Sequence, residues 1–313
     1  MSEMRFDDDV VIVTGAGRGL GREHALAFAR RGACVLVNDL RDADGQSPAD
    51  DVVNEIKAMG GRAVADFNSV ATADGARAIV AAAIAAFGRV TILVNNAGVI
   101  DFAPFADITD AQWRRMVDVT LDGAFFMSRA VWRLFLDQGH GRIVNTTSNA
   151  GFAGNEQIVH YGAAKLGVAG LTRALAQEAK GSGVTVNAIA PMAVTRMNRE
   201  AFFGGAASEG ENWQDDIRTG TVPMGPPSAV SPTVLWLAHR STDINGEIFS
   251  TSSGKVARVA FVLGNGIFDP DHTPETLAAN SDRIRAIEDP FKPSCCADEI
   301  APIPPLFQAR APA

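Results

Sequence analysis

Tyr161 and Lys165 stand four residues apart, and Ser148 lies thirteen residues before the tyrosine, in the stretch NTTSNAGFAGNEQIVHYGAAKLGVAGL. Residues four apart on a helix share one face, so the phenol and the ammonium would lie side by side. A nearby positive charge favours the phenolate, and we expect it to lower the pKa of Tyr161 from its ordinary value of about 10. Such a pair could transfer a proton, although the same spacing is common in surface pairs on amphipathic helices.

A glycine-rich segment near the start of the chain predicts a nucleotide site. The four β-branched residues at 10–13 indicate a strand buried on both faces, and glycines separate this strand from apolar residues at helical spacing. Glycines in this position allow backbone amides to approach a pyrophosphate at the positive end of the helix. We expect five residues of the segment to bind the cofactor: Gly15, Arg18, Gly19, Leu20 and Gly21.

Asp39 follows the second predicted strand, eighteen residues after Gly21. A carboxylate here can accept hydrogen bonds from both ribose hydroxyls of NAD, and it would repel the 2′-phosphate of NADP. A plain turn aspartate is the structural alternative. Arg18 and Arg41 leave NADP open, because a guanidinium near the ribose attracts a phosphate. We favour NAD over NADP.

The composition excludes several classes of function. The chain has 313 residues, 47% of them hydrophobic, and a net charge of −8. This charge argues against a nucleic-acid partner or an anionic-membrane surface. There is neither a secretory signal nor an apolar run long enough to span a bilayer. Cys34, Cys295 and Cys296 form neither a disulfide framework nor, lacking a His/Cys cluster, a metal site. We expect a soluble cytoplasmic protein that acts on a small molecule.

Strands and helices alternate along the chain, which predicts one doubly wound α/β domain with a parallel sheet of six to seven strands. After the first βαβ unit we predict helices at 48–59, 72–87, 109–137 and 158–180, and strands at 62–66, 90–95, 141–147, 184–189 and 247–250. Ligands bind at the carboxyl ends of such strands. The glycine loop, Asp39, the segment 95–98 and Ser148 all follow strands, so we expect them to meet at one edge.

Two further segments depart from this alternation. Between 192 and 230 the periodicity fails, and the position of this stretch beyond the sixth strand suits a lid over a substrate. Residues 255–313 are rich in proline, with room for one short helix at about 275–287. We therefore predict a domain over 1–254 and a C-terminal arm, 255–313, that packs on the domain or on a neighbouring subunit.

Four motifs in this order resemble the short-chain dehydrogenase/reductase family over about residues 6–250: Thr14-Gly-Ala-Gly-Arg-Gly-Leu-Gly21, Asn95-Asn-Ala-Gly98, Ser148 and Tyr161-Gly-Ala-Ala-Lys165. The resemblance implies a Rossmann-like domain that binds a nicotinamide cofactor and interconverts a secondary alcohol and a ketone. Members of this family usually form homodimers or homotetramers.

Several framework segments look more narrowly like the dehydrogenase region of the multifunctional enzyme of fatty-acid β-oxidation: Met4-Arg-Phe-Asp7, Val37-Asn-Asp-Leu40, Gly167-Val-Ala-Gly-Leu171, Asn187-Ala-Ile-Ala-Pro191, Thr195-Arg-Met197 and Val234-Leu-Trp-Leu-Ala238. That group oxidises (3R)-hydroxyacyl-CoA thioesters with NAD. The likeness implies a 3-hydroxyacyl-CoA or a similarly bulky apolar substrate. Two alternatives are a dehydrogenase of a steroid, terpenoid or cyclic alcohol, and a nucleotide-binding regulator without catalysis.

The family resemblance also implies roles for the catalytic residues. Tyr161 would be the base, Lys165 would lower its pKa and bond the cofactor ribose, and Ser148 would hold the substrate oxygen. Thr120 stands where the family usually has an asparagine that holds a water connected to the lysine. We expect an altered relay that uses the Thr120 hydroxyl or its backbone carbonyl.

Other residues are expected around the cofactor, with alternatives for several of them. Asp66 would meet the adenine or cap a helix, and Asn95 would line the adenosine pocket or tie strands together. Ala97 and Gly98 continue the motif of Asn95. In the nicotinamide pocket we expect Pro191 and Thr195, the latter bonding the carboxamide. His160 points about 100° around the helix from Tyr161, so we interpret it as a surface or subunit-contact residue.

Overall fold

Eight strands form one sheet in the order β3-β2-β1-β4-β5-β6-β7-β8. Their bounds are β1 Val10–Thr14, β2 Cys34–Asn38, β3 Arg62–Asp66, β4 Ile92–Asn95, β5 Gly141–Thr146, β6 Val184–Met192, β7 Ile248–Ser252 and β8 Lys255–Val259. All neighbouring pairs from β3 to β7 are parallel. β8 follows β7 after two residues, a connection that joins only antiparallel strands.

The sheet therefore has eight strands, one more than the upper limit of the predicted six to seven. The additional strand is β8, with the sequence KVARV, and it lies in the segment that was interpreted as the start of the arm. Its residues are almost all exposed. An exposed edge strand lacks the continuous apolar run by which buried parallel strands are recognised, and so the sequence pattern did not indicate it.

The computed structural model describes residues 3–195, 213–220 and 224–308. The helices of these ranges are α1 Gly19–Arg30, α2 Pro48–Ala58, α3 Ala73–Phe87, α4 Asp110–Val117, α5 Gly123–Asp137, α6 Asn149–Ala153, α7 Val159–Glu178, α8 Trp213–Arg218, α9 Ser231–Ala238, α10 Pro274–Ala279, α11 Ser281–Arg285, α12 Cys296–Ile300 and α13 Ile303–Gln308. Short 3₁₀ turns lie at Phe105–Asp107 and Pro227–Ala229. Most of the predicted lid falls on 196–212 and 221–223, outside the described residues.

Two apolar layers cover the two faces of the sheet, because successive side chains of a strand point to opposite faces. Val11 and Val13 of β1 pack into the layer that contains α1, α2 and α9. Ile12, between them, packs into the layer that contains α3 and α5. All five residues of β1 are buried. Helices on both faces and an open parallel sheet make this a doubly wound, Rossmann-like α/β domain.

The long helix predicted over 109–137 is interrupted in its middle. It begins at a capping box formed by Thr109 and Gln112, and α4 ends at Val117. One π-helical turn, Asp118–Asp122, follows before α5 begins at Gly123. Single π turns inside α-helices are frequent at functional sites. Thr120 lies in this turn with 2% of its surface exposed.

Two compact units divide the chain, Met1–Arg258 and Val259–Ala313. The second unit contains α10 to α13 and one antiparallel bridge between Leu263 and Phe291. The predicted single helix at about 275–287 is two short helices, α10 and α11. No described residue of this unit is buried. Across the described parts of both units, no helix combines the length and the apolar character that crossing a membrane requires.

Candidate active site

The glycine loop between β1 and α1 is held in place by Asn96. Gly15 and Gly19 have φ values of 61° and 56°, in the left-handed region that favours glycine. The side-chain amide of Asn96 donates to the carbonyl oxygens of Thr14 and Gly15, both at 3.0 Å. A Cβ atom at Gly21 would lie 2.3 Å from the Gly15 carbonyl oxygen. The loop can therefore fold this tightly only with glycine at these positions, and it leaves backbone amides at the start of α1.

Asp39 lies at the carboxyl end of β2, directly against the glycine loop. One carboxylate oxygen accepts a hydrogen bond from the Gly17 N–H and the other accepts one from the Leu40 N–H, both at 2.8 Å. Burial raises the pKa of Asp39, while these two backbone donors act in the opposite direction. A Cβ atom at Gly17 would lie 2.8 Å from the Asp39 carboxylate, which explains why glycine is needed there.

Both arginines that could attract a 2′-phosphate are engaged with other groups. Arg18 forms a bidentate ion pair with Asp42, in which Nη1 lies 2.9 Å from Oδ1. The guanidinium of Arg41 stacks on the ring of Phe67, 3.8 Å from the ring centroid, and lies 3.9 Å from Asp50. In this arrangement the carboxylate of Asp39, rather than a guanidinium, stands at the end of β2.

Ser148, Tyr161 and Lys165 meet beyond the carboxyl end of β5. The Ser148 hydroxyl lies close enough to the Tyr161 phenol to oppose the rise of its pKa. This hydroxyl donates to Asn149 Oδ1 at 3.3 Å and accepts from the backbone N–H of Ala150 at 3.2 Å, as the N-cap of α6. The Nζ atom of Lys165 lies 5.7 Å from the centroid of the Tyr161 ring. The spacing of four residues on α7 thus puts the phenol and the ammonium side by side.

The expected direction of the Tyr161 pKa is wrong for the free protein. Burial raises this pKa above 10.0, and the hydrogen bond with Ser148 opposes the rise only in part. Lys165 does not lower it, because burial lowers the lysine pKa from 10.5 to about 8, so the lysine is already neutral at the pH at which the tyrosine ionises. Sequence spacing indicates that the two side chains are close. How deeply they are buried decides whether desolvation or the neighbouring charge has the larger effect on the tyrosine pKa.

The ammonium of Lys165 is held by the strand below it. Its Nζ donates to the carbonyl oxygen of Thr146 at 2.7 Å. The hydroxyl of Thr147 donates to the backbone carbonyl oxygen of Lys165 at 2.6 Å. A Cβ atom at Gly98 would lie 3.4 Å from Lys165 Nζ and 3.8 Å from Thr120 Oγ1, so the lysine and the threonine flank the same glycine.

A small cavity lies beside Thr120 and has a volume of about 10 Å³, room for about one water molecule. Two of its lining residues carry a buried oxygen without a partner among the described residues, Asn95 Oδ1 and Thr146 Oγ1. The Thr120 hydroxyl has a weak contact to the sulfur of Met116, at 3.7 Å. The polar lining gives a water molecule in this cavity hydrogen-bonding partners.

A larger cavity of about 220 Å³ joins the glycine loop to Tyr161 and Lys165. It brings together most of the expected site residues: Gly15, Arg18, Gly19, Leu20, Ala97, Gly98, Tyr161, Lys165, Pro191 and Thr195. Asn96, Thr146, Thr147 and Ala193 also line it, and the sequence analysis did not assign them a role. The second asparagine of the Asn-Asn-Ala-Gly motif was the available signal for Asn96.

Asp66 and Asn95 are engaged in bonds between neighbouring elements. Both carboxylate oxygens of Asp66 accept from Asn68, and one of them also accepts from the side-chain amide of Asn38 at 2.9 Å. The amide of Asn95 donates to Asn145 of β5 at 2.9 Å and to Ser128 of α5 at 3.1 Å. Neither residue lines the larger cavity.

His160 is not a surface residue. Its side chain is fully buried, because the chain that follows β4 covers the start of α7. One of the two ring nitrogens, Nε2, is hydrogen-bonded to the carboxylate of Asp101. The interpretation as a surface or subunit-contact residue was therefore wrong. No group of three or more His, Cys, Asp or Glu side chains in the described part of the chain has a geometry that could hold a metal ion.

Comparison with known proteins agrees with this geometry. The model of the family described as short chain dehydrogenase matches residues 9–203. The peroxisomal multifunctional enzyme A of Dictyostelium discoideum is 37% identical over 96% of this chain and 65% of that protein. The 3-oxoacyl-acyl-carrier-protein reductase of Synechocystis is 37% identical over 79% of this chain and 96% of that protein.

A solved structure shows the same architecture. The crystal structure of a short chain dehydrogenase from Mycobacterium avium superposes with a TM-score of 0.76 and 37% identity, over 90% of this chain and 97% of that one. The chain spans between 30% and 65% of the length of the multifunctional relatives that it matches.

Proposed function

The chain belongs to the short-chain dehydrogenase family, a family of nicotinamide-dependent oxidoreductases that act on CH–OH groups, and on that premise we propose an NAD-dependent dehydrogenase of 3-hydroxyacyl-CoA or similarly bulky apolar alcohols. The observation that carries the proposal is the position of Tyr161 and Lys165 together in the lining of the cavity that begins at the glycine loop, with the Ser148 hydroxyl near the phenol.

The residues at the glycine loop fit a nicotinamide dinucleotide. Backbone amides at the start of α1 would hold the pyrophosphate, and the glycines let the loop fold tightly at the start of this helix. Asp39 would accept hydrogen bonds from the ribose hydroxyls. Arg18 is paired with Asp42 and Arg41 stacks on Phe67, so neither guanidinium is directed at a 2′-phosphate, which supports NAD over NADP. When bound, the nicotinamide ring supplies hydride transfer.

Tyr161 is the group that would exchange a proton with the substrate hydroxyl. The Ser148 hydroxyl lies near the phenol, so a substrate oxygen bound beside both groups would receive a hydrogen bond from each in the ketone form. In the oxidation direction the phenolate removes the hydroxyl proton. Because burial keeps Tyr161 protonated in the free protein, this base forms only where further positive charge stands next to it.

Lys165 and Thr120 would carry the proton away from Tyr161. The lysine pKa of about 8 is close to the working range, so the ammonium can give and regain a proton. Gly98 leaves the space between Lys165 and Thr120 open. The polar cavity beside Thr120 would hold a water molecule that continues this path. Thr120 thus takes the place of the asparagine that is usual in the family.

The substrate class rests on the relatives and on the larger cavity. The Synechocystis relative is named as a 3-oxoacyl-acyl-carrier-protein reductase, and the Dictyostelium relative is named as a peroxisomal multifunctional enzyme. A 3-hydroxyacyl thioester is the reduced counterpart of a 3-oxoacyl group. The apolar residues Leu20, Ala97, Pro191 and Ala193 contribute to the cavity lining, which suits a substrate with an apolar acyl chain.

A cofactor-reduction assay tests the proposal directly. The panel is (3R)- and (3S)-hydroxyacyl-CoA thioesters, a 17β-hydroxysteroid and simple cyclic alcohols, each with NAD and with NADP. We expect the highest kcat/KM for a 3-hydroxyacyl-CoA with NAD, and a loss of at least about 100-fold for Tyr161→Phe with unchanged NAD binding by calorimetry. Preference for a steroid or cyclic alcohol would refute the substrate class, and near-normal turnover by the Tyr161→Phe variant would refute the mechanism.

Assembly and location are separate proposals. We propose a homodimer or homotetramer, supported by large apolar side chains that remain exposed in the helices, such as Phe125 of α5 and Leu166 of α7, each 40% exposed. Light scattering that gives a monomer mass would refute it. The proposed location is the cytoplasm, whereas the Dictyostelium relative is named as peroxisomal. Microscopy of the tagged full-length protein decides between the two compartments.

A further inference from the structure

His160 directly precedes the proposed catalytic tyrosine and is fully buried near the start of α7. Its Nε2 atom is hydrogen-bonded to Asp101, whereas its Nδ1 atom is buried without a partner among the described residues. An unpartnered buried ring nitrogen costs free energy, and an apolar side chain of similar volume would avoid that cost. The gain that offsets this cost is the bond to Asp101.

Asp101 connects this helix to two further segments. It lies three residues after Gly98, in the loop that follows β4, and its carboxylate is 3.7 Å from Nη1 of Arg115 on α4. Close by, the backbone N–H of Ala103 donates to the carbonyl oxygen of Gln157 at 2.9 Å. The segments 99–104 and 154–160 are thus joined both by a backbone bond and by a charged side-chain bond.

These two segments lead directly into two parts of the lining of the larger cavity. The walls nearest to them are Asn96–Gly98, which precede Asp101, and Tyr161, which follows His160. Neither His160 nor Asp101 lines the cavity itself. We propose that His160, through Asp101, is a positioning residue that fixes Tyr161 relative to the wall formed by residues 96–98. This inference rests on the proposed function, because it concerns the same base.

The physical reason is that the bond is directional. A hydrogen bond between an imidazole and a carboxylate constrains both distance and angle, and the charge on the carboxylate strengthens it. Displacement of a reacting group by about 1 Å costs up to about 100-fold in rate. Loss of the bond should therefore lower kcat, while the binding of NAD at the glycine loop stays unchanged.

Single and double variants separate positioning from simple stability. His160→Phe leaves Oδ1 of Asp101 unpaired, while Oδ2 keeps Arg115 at 3.7 Å, and Asp101→Leu leaves the imidazole unpaired, so each should lower the midpoint of thermal unfolding. The double variant His160→Phe/Asp101→Leu contains neither unpaired group, so its midpoint should recover. We expect its kcat to remain about 10- to 100-fold low, with the dissociation constant of NAD within about twofold of the wild type. Recovery of kcat together with the midpoint would overturn the positioning role.

A conservative variant and a control complete the test. His160→Gln keeps an amide N–H that can donate to Asp101, so it should recover most of kcat. His140→Phe makes the same change of residue type in a half-buried histidine before β5, at the opposite edge of the sheet, and should leave kcat within about twofold of the wild type. Equal loss of kcat in His160→Gln and His160→Phe would also overturn the proposal.

A spectroscopic readout needs no substrate. Tyr161 is the only tyrosine of the 313-residue sequence, so phenolate absorbance reports this residue alone. In His160→Phe and in the double variant we expect its titration midpoint to move down toward 10, because a displaced ring is less completely desolvated. An unchanged midpoint would contradict displacement of Tyr161. If the wild type oxidises no alcohol although the titration midpoint of Tyr161 moves in these variants, the proposed function is refuted and the positioning of Tyr161 is not.

Discussion

Replacing Lys165 by methionine is expected to stabilise the protein while abolishing turnover. Burial lowers the pKa of this lysine from 10.5 to about 8, a difference that corresponds to about 3 kcal/mol. At neutral pH both the folded and the unfolded chain carry the charge, so the folded state bears the whole desolvation cost. Between pH 8 and 10.5 the unfolded chain binds more protons, and the stability of the wild type therefore rises with pH.

Methionine removes the charge but also removes a hydrogen bond. The carbonyl oxygen of Thr146 loses the donor that lies 2.7 Å away in the wild type, at a cost of about 1 kcal/mol. A net gain of about 2 kcal/mol at neutral pH remains, which corresponds to a rise of about 4–8 °C in the midpoint of thermal unfolding. Stability that is sacrificed for a catalytic charge is a common trade-off in active sites.

Urea unfolding of the Lys165→Met variant and the wild type at about pH 7 and about pH 10 measures the effect. The difference in free energy of unfolding between the variant and the wild type should almost vanish at the higher pH, since the wild-type lysine is then neutral in the folded state. A variant that is less stable than the wild type at neutral pH would refute the reasoning, and so would an advantage of equal size at both pH values.

Four further outcomes are expected. Ultraviolet titration of Tyr161, the sole tyrosine, should give a midpoint above 10 in the free protein and a lower one with NAD bound. Asp39→Ala should lower kcat/KM for NAD at least about tenfold relative to that for NADP, measured with both cofactors. Thr120→Val should lower kcat about tenfold, whereas Thr185→Val, which removes a buried hydroxyl without a partner among the described residues, should not. Because the arm is predicted to pack on the domain or on a neighbouring subunit, deleting 261–313 should lower the midpoint of thermal unfolding or change the number of subunits found by light scattering. No change in either quantity would contradict that prediction.

The sequence was sufficient for those parts of the site that depend on local backbone geometry. Glycines between a strand and a helix predict the loop at residues 15–21, and the structure has the strand, the loop and α1 in that order. Parallel strands carry their following loops to one edge, which explains why the glycine loop and Tyr161 line one cavity. These inferences need only the period of the apolar pattern and the direction of the chain.

Features that depend on packing between distant segments could not be predicted in the same way. The π turn at Asp118–Asp122 has no recognisable pattern, because its neighbours are ordinary helix formers. The burial of His160 depends on where the loop after β4 lies, and the partner in that loop is 59 positions away. β8 is an exposed edge strand without an apolar run. For His160 a contact with a remote segment decides the structure, and for β8 it is the pairing with β7, rather than a recognisable apolar pattern.

Burial determines which protonation states the Tyr161 and Lys165 pair adopts. The tyrosine pKa lies above 10.0 and the lysine pKa is about 8 in the free protein, so the lysine loses its proton before the tyrosine does. The pair at rest is a phenol beside an ammonium that is easily deprotonated, not a phenolate salt bridge. A base would therefore form only when further positive charge enters the cavity, as an oxidised nicotinamide would bring. On this reasoning the same burial that destabilises Lys165 keeps Tyr161 protonated until the cofactor is present.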